Sequence, residues 1–149
     1  MSETAVEAAS EVTPPPPPRR IRPAINEDNA YFWDGVAAGE LRIQRCADCR
    51  ELRHPSTPCC PICNSFSWDF IIASGHGSIY SFVVFHHPLV PPFEDPYVVA
   101  VIELEEGQRL VSEVIDIDTE EVQIGLAVDV TFMDVDPELT LPLFRPAAQ

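Results

Sequence analysis

At 149 residues the chain has room for one domain, or a small domain with an appendage, and is long enough to bury a real core. Its formal charge of −15 is unevenly spread: residues 1–53 carry seven arginines against nine acids, and residues 54–149 carry only Arg109 and Arg145 against fifteen. That balance repels a phosphate backbone over most of the C-terminal two-thirds, and no stretch resembles a membrane span. Residues 1–24 read as a leader or linker, acidic at first, then five prolines at positions 14–18, then Arg19, Arg20 and Arg22. Consecutive prolines lack amide donors and have fixed φ, so they favour an extended polyproline II spacer, here a linker or tail ahead of an SH3-type ligand. Such a spacer suggests tethering to another module in a longer protein. The first 20 residues lack the apolar core of a secretory signal, which sets the expected location as cytoplasmic.

Residues 25–40 carry helix signals. Asn26 suits an N-cap, Glu27 and Asp28 suit the positive end of the dipole, and Gly39 suits the exit. The apolar set, with Tyr31, Phe32 and Trp33 in a row, is too broad for one narrow stripe. Those aromatics pack either on the domain's own core or on a partner protein.

Residues 41–68 read as a metal-binding ribbon. Leu41 to Arg45 alternate apolar and polar, as a strand does, and lead into Cys46-x2-Cys49. After ten residues comes Cys60-x2-Cys63. Each short pair wraps one side of an ion, and two pairs supply the four thiolates of a tetrahedral zinc ribbon. With sulfur in every position no site is left for water or substrate, so the zinc is expected to be structural. Disulfides would need an oxidising compartment, and a thioredoxin-like role would need a surrounding βαβ pattern. Cys59 is the spare thiol, because Cys60 repeats the x2 spacing of the first pair. Asn64 tolerates the left-handed turn that follows such a pair, whereas Arg50 suits it less well.

Residues 69–149 alternate β-rich runs with turn chemistry. Strands are expected near residues 68–73, 77–85, 97–104, 110–115, 128–133 and 141–144, with turns at Ser74-Gly75, in the proline-rich loop 86–96, at Glu105-Glu106-Gly107 and at Gly125. Five or six short strands in about 80 residues suit a small antiparallel barrel, and the OB-fold matches in size. The predicted class is mainly β: a helix, a zinc ribbon, then the barrel.

Three features of the barrel region bear on function. His86, His87 and Pro88 open a loop that also holds Glu94 and Asp95; with no G-x-S-x-G nucleophile motif nearby, a turn and partner-facing surface is favoured over catalysis. Gly75-His76-Gly77 either starts a strand or lets a ligand such as the pantetheine arm of CoA approach the backbone, and the first is preferred. Tyr80, Phe82, Phe85 and Tyr97 would suit stacking of single-stranded nucleic acid on an OB-fold, but the charge has the wrong sign.

The ordered series Phe32-Trp33, Gln44-Arg45-Cys46, Cys60-Pro61-Ile62-Cys63, Gly75 through Phe82, Pro96-Tyr97, Glu103 through Gly107, Ile124-Gly125 and Pro142 through Pro146 resembles the DUF35 family over about residues 26–146. The resemblance implies a rubredoxin-like zinc ribbon followed by an OB-fold in an acyl-CoA-associated protein. It also implies a non-catalytic partner of a thiolase-superfamily enzyme, or of a MaoC-type hydratase. One branch is the C-terminal domain of a steroid enoyl-CoA hydratase subunit that joins a lipid-transfer-protein-like thiolase in retro-aldol cleavage of a cholesterol side chain. Arg50 and Asn64 depart from the glycine that commonly follows each cysteine pair.

Overall fold

The computed structural model describes residues 19–148, and the prolines at positions 14–18 lie outside them. One helix and eight strands follow in chain order. Helix α1 (Ala30–Ala37) is shorter than its sequence signals suggest, because Asn26 organises the turn before it. Asn26 Oδ1 accepts the N–H groups of Asp28 and Asn29 at 3.0 and 3.2 Å, while Asn29 Oδ1 accepts that of Asn26 at 2.8 Å. The exit is as expected: Gly39 takes φ 74°, and the Glu40 N–H reaches back to the Gly35 carbonyl at 2.8 Å.

The ribbon sheet has strand order β2-β1-β3, from β1 (Arg42–Cys46), β2 (Leu52–Arg53) and β3 (Trp68–Ile72), all antiparallel. Strand β2 went unread in the sequence, since two residues carry no periodicity. The other five strands, β4 (His76–Phe85), β5 (Tyr97–Leu104), β6 (Arg109–Val114), β7 (Ala127–Asp136) and β8 (Leu139–Pro146), close into a barrel of order β4-β5-β6-β8-β7. Strand β7 pairs back onto β4, with Gly77 opposite Val128. All these pairs are antiparallel except the β6–β8 seam, where Val114 meets Phe144 in parallel register. This is the OB-fold barrel expected from the strand count.

Burial follows the two-residue period of the strands. In β5, Val98, Ala100, Ile102 and Leu104 are buried while the residues between them are partly exposed, so one face fills the barrel and the other meets solvent. Ile79, Leu110, Val114, Val128 and Phe144 complete that interior. The same core runs on through Ala73 to Ile43, Leu41, Val36, Phe32 and Tyr31, so helix, ribbon and barrel share one apolar cluster. Helix α1 rests on β1 and β8. Among the described residues no helix is long and apolar enough to cross a membrane.

Candidate functional site

The two cysteine pairs fold as matching knuckles. Cys46 ends β1, and its carbonyl accepts the Arg50 N–H at 3.1 Å; the Cys60 carbonyl accepts the Asn64 N–H at 2.9 Å. Each turn closes through a left-handed residue, Arg50 at φ 68° and Asn64 at φ 60°. Asn64 is the residue type that tolerates this region, whereas Arg50 adopts it because the knuckle geometry overrides its own preference.

These turns bring four sulfurs together. Cys46 Sγ lies 3.5 Å from Cys63 Sγ, Cys49 Sγ lies 3.5 Å from Cys60 Sγ, and all four fall within 4.8 Å of one another. Tetrahedral ligation at roughly 2.3 Å per Zn–S bond puts sulfurs about 3.8 Å apart, so the group fits a zinc ion. Cys46 and Cys60 are buried, and Cys49 and Cys63 are exposed. Cys59 stays outside the group, its Sγ 3.7 Å from the Cys60 carbonyl.

The donors are tuned by their amides. The Cys49 backbone N–H, 3.5 Å from Cys46 Sγ, holds the Cys46 thiol down to about 6, and the Cys63 amide lowers Cys60 likewise. For Cys49 the Glu51 amide pulls down, but lost hydration of the sulfur where it faces the cluster, together with the neighbouring sulfurs, outweighs it and pushes the thiol up to about 12. Four sulfurs this close cannot all ionise without a cation among them. A divalent metal resolves the crowding and locks the ribbon, and with every donor a protein sulfur its role is structural.

The glycine turn has a packing explanation. Gly75 takes φ 83°, and a Cβ there would lie 2.5 Å from Val130 Cγ1; one on Gly77 would lie 2.6 Å from the Glu103 carbonyl oxygen. Both glycines let strands approach closely at the β4–β5 and β4–β7 junctions. His76, Gly77, Glu103, Glu105 and Asp129 also border an open cleft of about 590 Å³. His76 Nδ1 lies 2.6 Å from Asp129 Oδ1, and that hydrogen bond, with the charge of Asp129 behind it, raises the imidazole above its ordinary range.

Two of the three helix aromatics turn inward. Tyr31 and Phe32 are each only 9% exposed. Tyr31 packs on Trp68 and Phe70, with ring centroids at 4.9 and 6.0 Å, and Phe32 packs on Trp33 and His54. Intramolecular packing consumes these rings, and Trp33 is half-buried. Their partners in β3, Trp68 and Phe70, stay partly open on the other side.

His86, His87 and Pro88 are all exposed. The only histidine ion pair among the described residues is His76 with Asp129. The loop they open is braced behind them, with Phe93 stacked on Tyr97 at 3.9 Å and the Arg20 guanidinium 4.2 Å over Phe93. Arg20 also pairs with Glu113 at 2.7 Å, and Arg22 with Asp136 at 2.9 Å, so the segment before the helix is clamped to the barrel. Sequence reading missed this clamp; its signal was the basic cluster facing an acidic remainder.

A tetracysteine ribbon joined to a five-stranded OB-fold barrel defines the class of module, and the comparisons narrow it. The model of the ChsH2 rubredoxin-like zinc ribbon domain matches residues 33–69, and that of the ChsH2 C-terminal OB-fold domain matches residues 72–133. The chain belongs to the DUF35 family. A chain of a solved Ltp2-ChsH2(DUF35) aldolase superposes with TM-score 0.83 at 53% identity, covering 85% of this chain and 100% of that one. A DUF35 protein from Sulfolobus solfataricus shares the fold at TM-score 0.58 and 11% identity, over 81% of this chain and 86% of its own.

Among curated proteins, a probable enoyl-CoA hydratase alpha subunit from Thermomonospora curvata is 53% identical over 86% of this chain and 40% of its own length. The 3-oxo-4,17-pregnadiene-20-carboxyl-CoA hydratase alpha subunit of Mycobacterium tuberculosis is 44% identical over 85% of this chain and 40% of its own. A DUF35 domain-containing scaffold protein of Methanothermobacter thermautotrophicus is 37% identical over 66% of this chain and 75% of its own. The chain thus spans about 40% of the hydratase subunits it matches.

Proposed function

We propose that this chain is a non-catalytic scaffold that binds a thiolase-superfamily enzyme and supports aldol-type carbon–carbon cleavage of acyl-CoA thioesters, the acyl group being a steroid side chain. The observation that carries this reading is the match, at 53% identity, to a whole chain of a solved Ltp2-ChsH2(DUF35) aldolase. The scaffold relatives and the pregnadiene-carboxyl-CoA hydratase relative support the supporting role and the steroid class respectively. In this reading the enzyme partner supplies nucleophile, acid and base. Zinc at Cys46, Cys49, Cys60 and Cys63 holds the ribbon rigid, leader 1–24 tethers the module, helix 25–40 and ribbon 41–68 sit on barrel 69–149, and the protein works in the cytoplasm, where thiols stay reduced.

Co-expression tests it. The chain should co-purify with a thiolase-like aldolase subunit, and the partner's retro-aldol turnover of a steroid side-chain CoA thioester should fall when the chain is withheld. Separate purification with undiminished turnover would refute the scaffold role. A second reading, a partner domain for a MaoC-type hydratase, draws on the hydratase names of relatives more than twice as long as the matched region. It predicts co-purification with a hydratase subunit in place of the thiolase.

Single-stranded nucleic acid is disfavoured by the barrel's own charges. Arg109, a rare cation there, lies 3.5 Å over the Tyr80 ring with Nε 2.7 Å from Glu103, so that arginine is already committed to a carboxylate.

A further inference from the structure

The outer face of β4, β5 and β6 is aliphatic where an OB-fold barrel meets water. Cross-strand neighbours share a face, and the register sets Val83 beside Val99, and Ser81 beside Val101, which in turn lies beside Val111. Because Val98, Ala100 and Ile102 fill the barrel, this row points outward. Val111 is 67% exposed and Val83 is 57% exposed. Phe85, beside Tyr97, extends the patch at one end. At the other end a hollow of about 380 Å³ opens between the ribbon loop and the barrel, lined by His54, Pro55, Val101, Leu110, Val111 and Arg109. Barrel face and ribbon loop therefore form one continuous surface with a recess at its edge, the arrangement that receives an anchoring side chain.

Charge selects the occupant. Glu103 and Glu113 flank the valines and are balanced by Arg109 and Arg20 at 2.7 Å, so the excess negative charge comes from the barrel around the patch, where residues 54–149 hold fifteen acids against two arginines. A second copy would bring an equally net-negative barrel against this one, and like charges across an interface are unfavourable. A basic-rimmed aliphatic surface is complementary.

We propose that the valine face of β4–β6, with the recess beside it, is the surface on which this chain docks its thiolase-superfamily enzyme, whose matching patch is aliphatic and ringed by lysine or arginine. The proposal rests on the scaffold reading above and assigns that reading its surface.

The test measures binding of the full chain to the Ltp2 subunit of the aldolase complex by calorimetry. Val83→Asp with Val111→Asp should weaken binding about tenfold or more, and the milder serine pair should weaken it less but in the same direction. Ile72→Asp, on the exposed side of β3, should leave affinity unchanged, and added salt should weaken the wild-type complex. Melting curves and zinc content check that each variant is folded, and light scattering follows the wild-type chain alone. Unchanged affinity in both valine variants, or loss only in Ile72→Asp, overturns the surface while the scaffold reading stands. A wild-type chain that does not bind Ltp2 removes the reading and the surface together. A self-dimer dissolved by the valine variants reassigns the face to a second copy.

Discussion

His76 and Asp129 face each other across the β4–β7 seam that closes the barrel, imidazole Nδ1 to carboxylate Oδ1 at 2.6 Å. The hydrogen bond that His76 donates to Asp129 raises its pKa above the ordinary 6.5, with the same carboxylate's charge and those of Glu105 and Glu106 adding to it. A raised pKa in the folded chain means the pair's stabilisation is complete below about pH 6.5 and fades as pH climbs through the elevated value. An NMR titration of the imidazole should therefore give a midpoint above that of a free histidine, and Asp129→Asn should bring it down. The melting-temperature gap between wild type and Asp129→Asn should narrow at higher pH. A midpoint unaffected by the asparagine would show the pair does not form.

Zinc removal should open the ribbon first. Apparent binding of structural zinc amounts to about 10 kcal/mol or more, comparable to the whole stability of a small domain. Cys46→Ser and Cys60→Ser should each abolish stoichiometric zinc, while Cys59→Ser should retain about one ion per chain. Trp68 pairs directly with Cys46 across β1 and β3, so its fluorescence should change as the metal leaves. Full zinc in Cys60→Ser would move the ligand to Cys59.

What the sequence revealed and what it hid divide along physical lines. The x2 spacing of the cysteines determines a local turn, so the metal group is readable without any tertiary knowledge. The alternation in β5 is likewise a local period. The directions of side chains that depend on distant neighbours were not readable: three adjacent aromatics in α1 look equally suited to a core or to a partner, and only their packing on Trp68, Phe70 and His54 decides. Val83, Val99 and Val111 read as strand formers whichever way they point, which hid the exposed face. Asn26 reads as a helix cap because its residue type suits one; in the fold its Oδ1 accepts the amides of Asp28 and Asn29 in the turn ahead of α1.

Gly77 tests whether the glycine turn serves packing. A methyl there would sit 2.6 Å from the Glu103 backbone oxygen, which cannot swing aside as a side chain can. Gly77→Ala should cost about 1–3 kcal/mol, read as a lower melting temperature with zinc content intact. A neutral substitution would mean the strand relaxes freely, and would reopen a ligand-access role for Gly75 and Gly77.

Arg53 poses the opposite problem, a charge the fold buries without an evident acceptor. Its side chain is in β2, opposite Gln44, and the residue is 5% exposed; Nε, Nη1 and Nη2 have no hydrogen-bond partner among the described residues. Gln44, opposite it, turns its amide to Thr57 instead, donating to the carbonyl at 3.1 Å and accepting the N–H at 3.0 Å. A buried charge left unpaired costs several kcal/mol, and a similar-sized apolar side chain removes that cost while keeping the volume filled. Arg53→Met should therefore raise stability, by about 1 kcal/mol or more in denaturant melts. Arg53→Ala should gain less, because the cavity it leaves offsets the relief. If Arg53→Met instead destabilises the isolated chain, the guanidinium has an acceptor in solution and the ribbon owes part of its order to that contact.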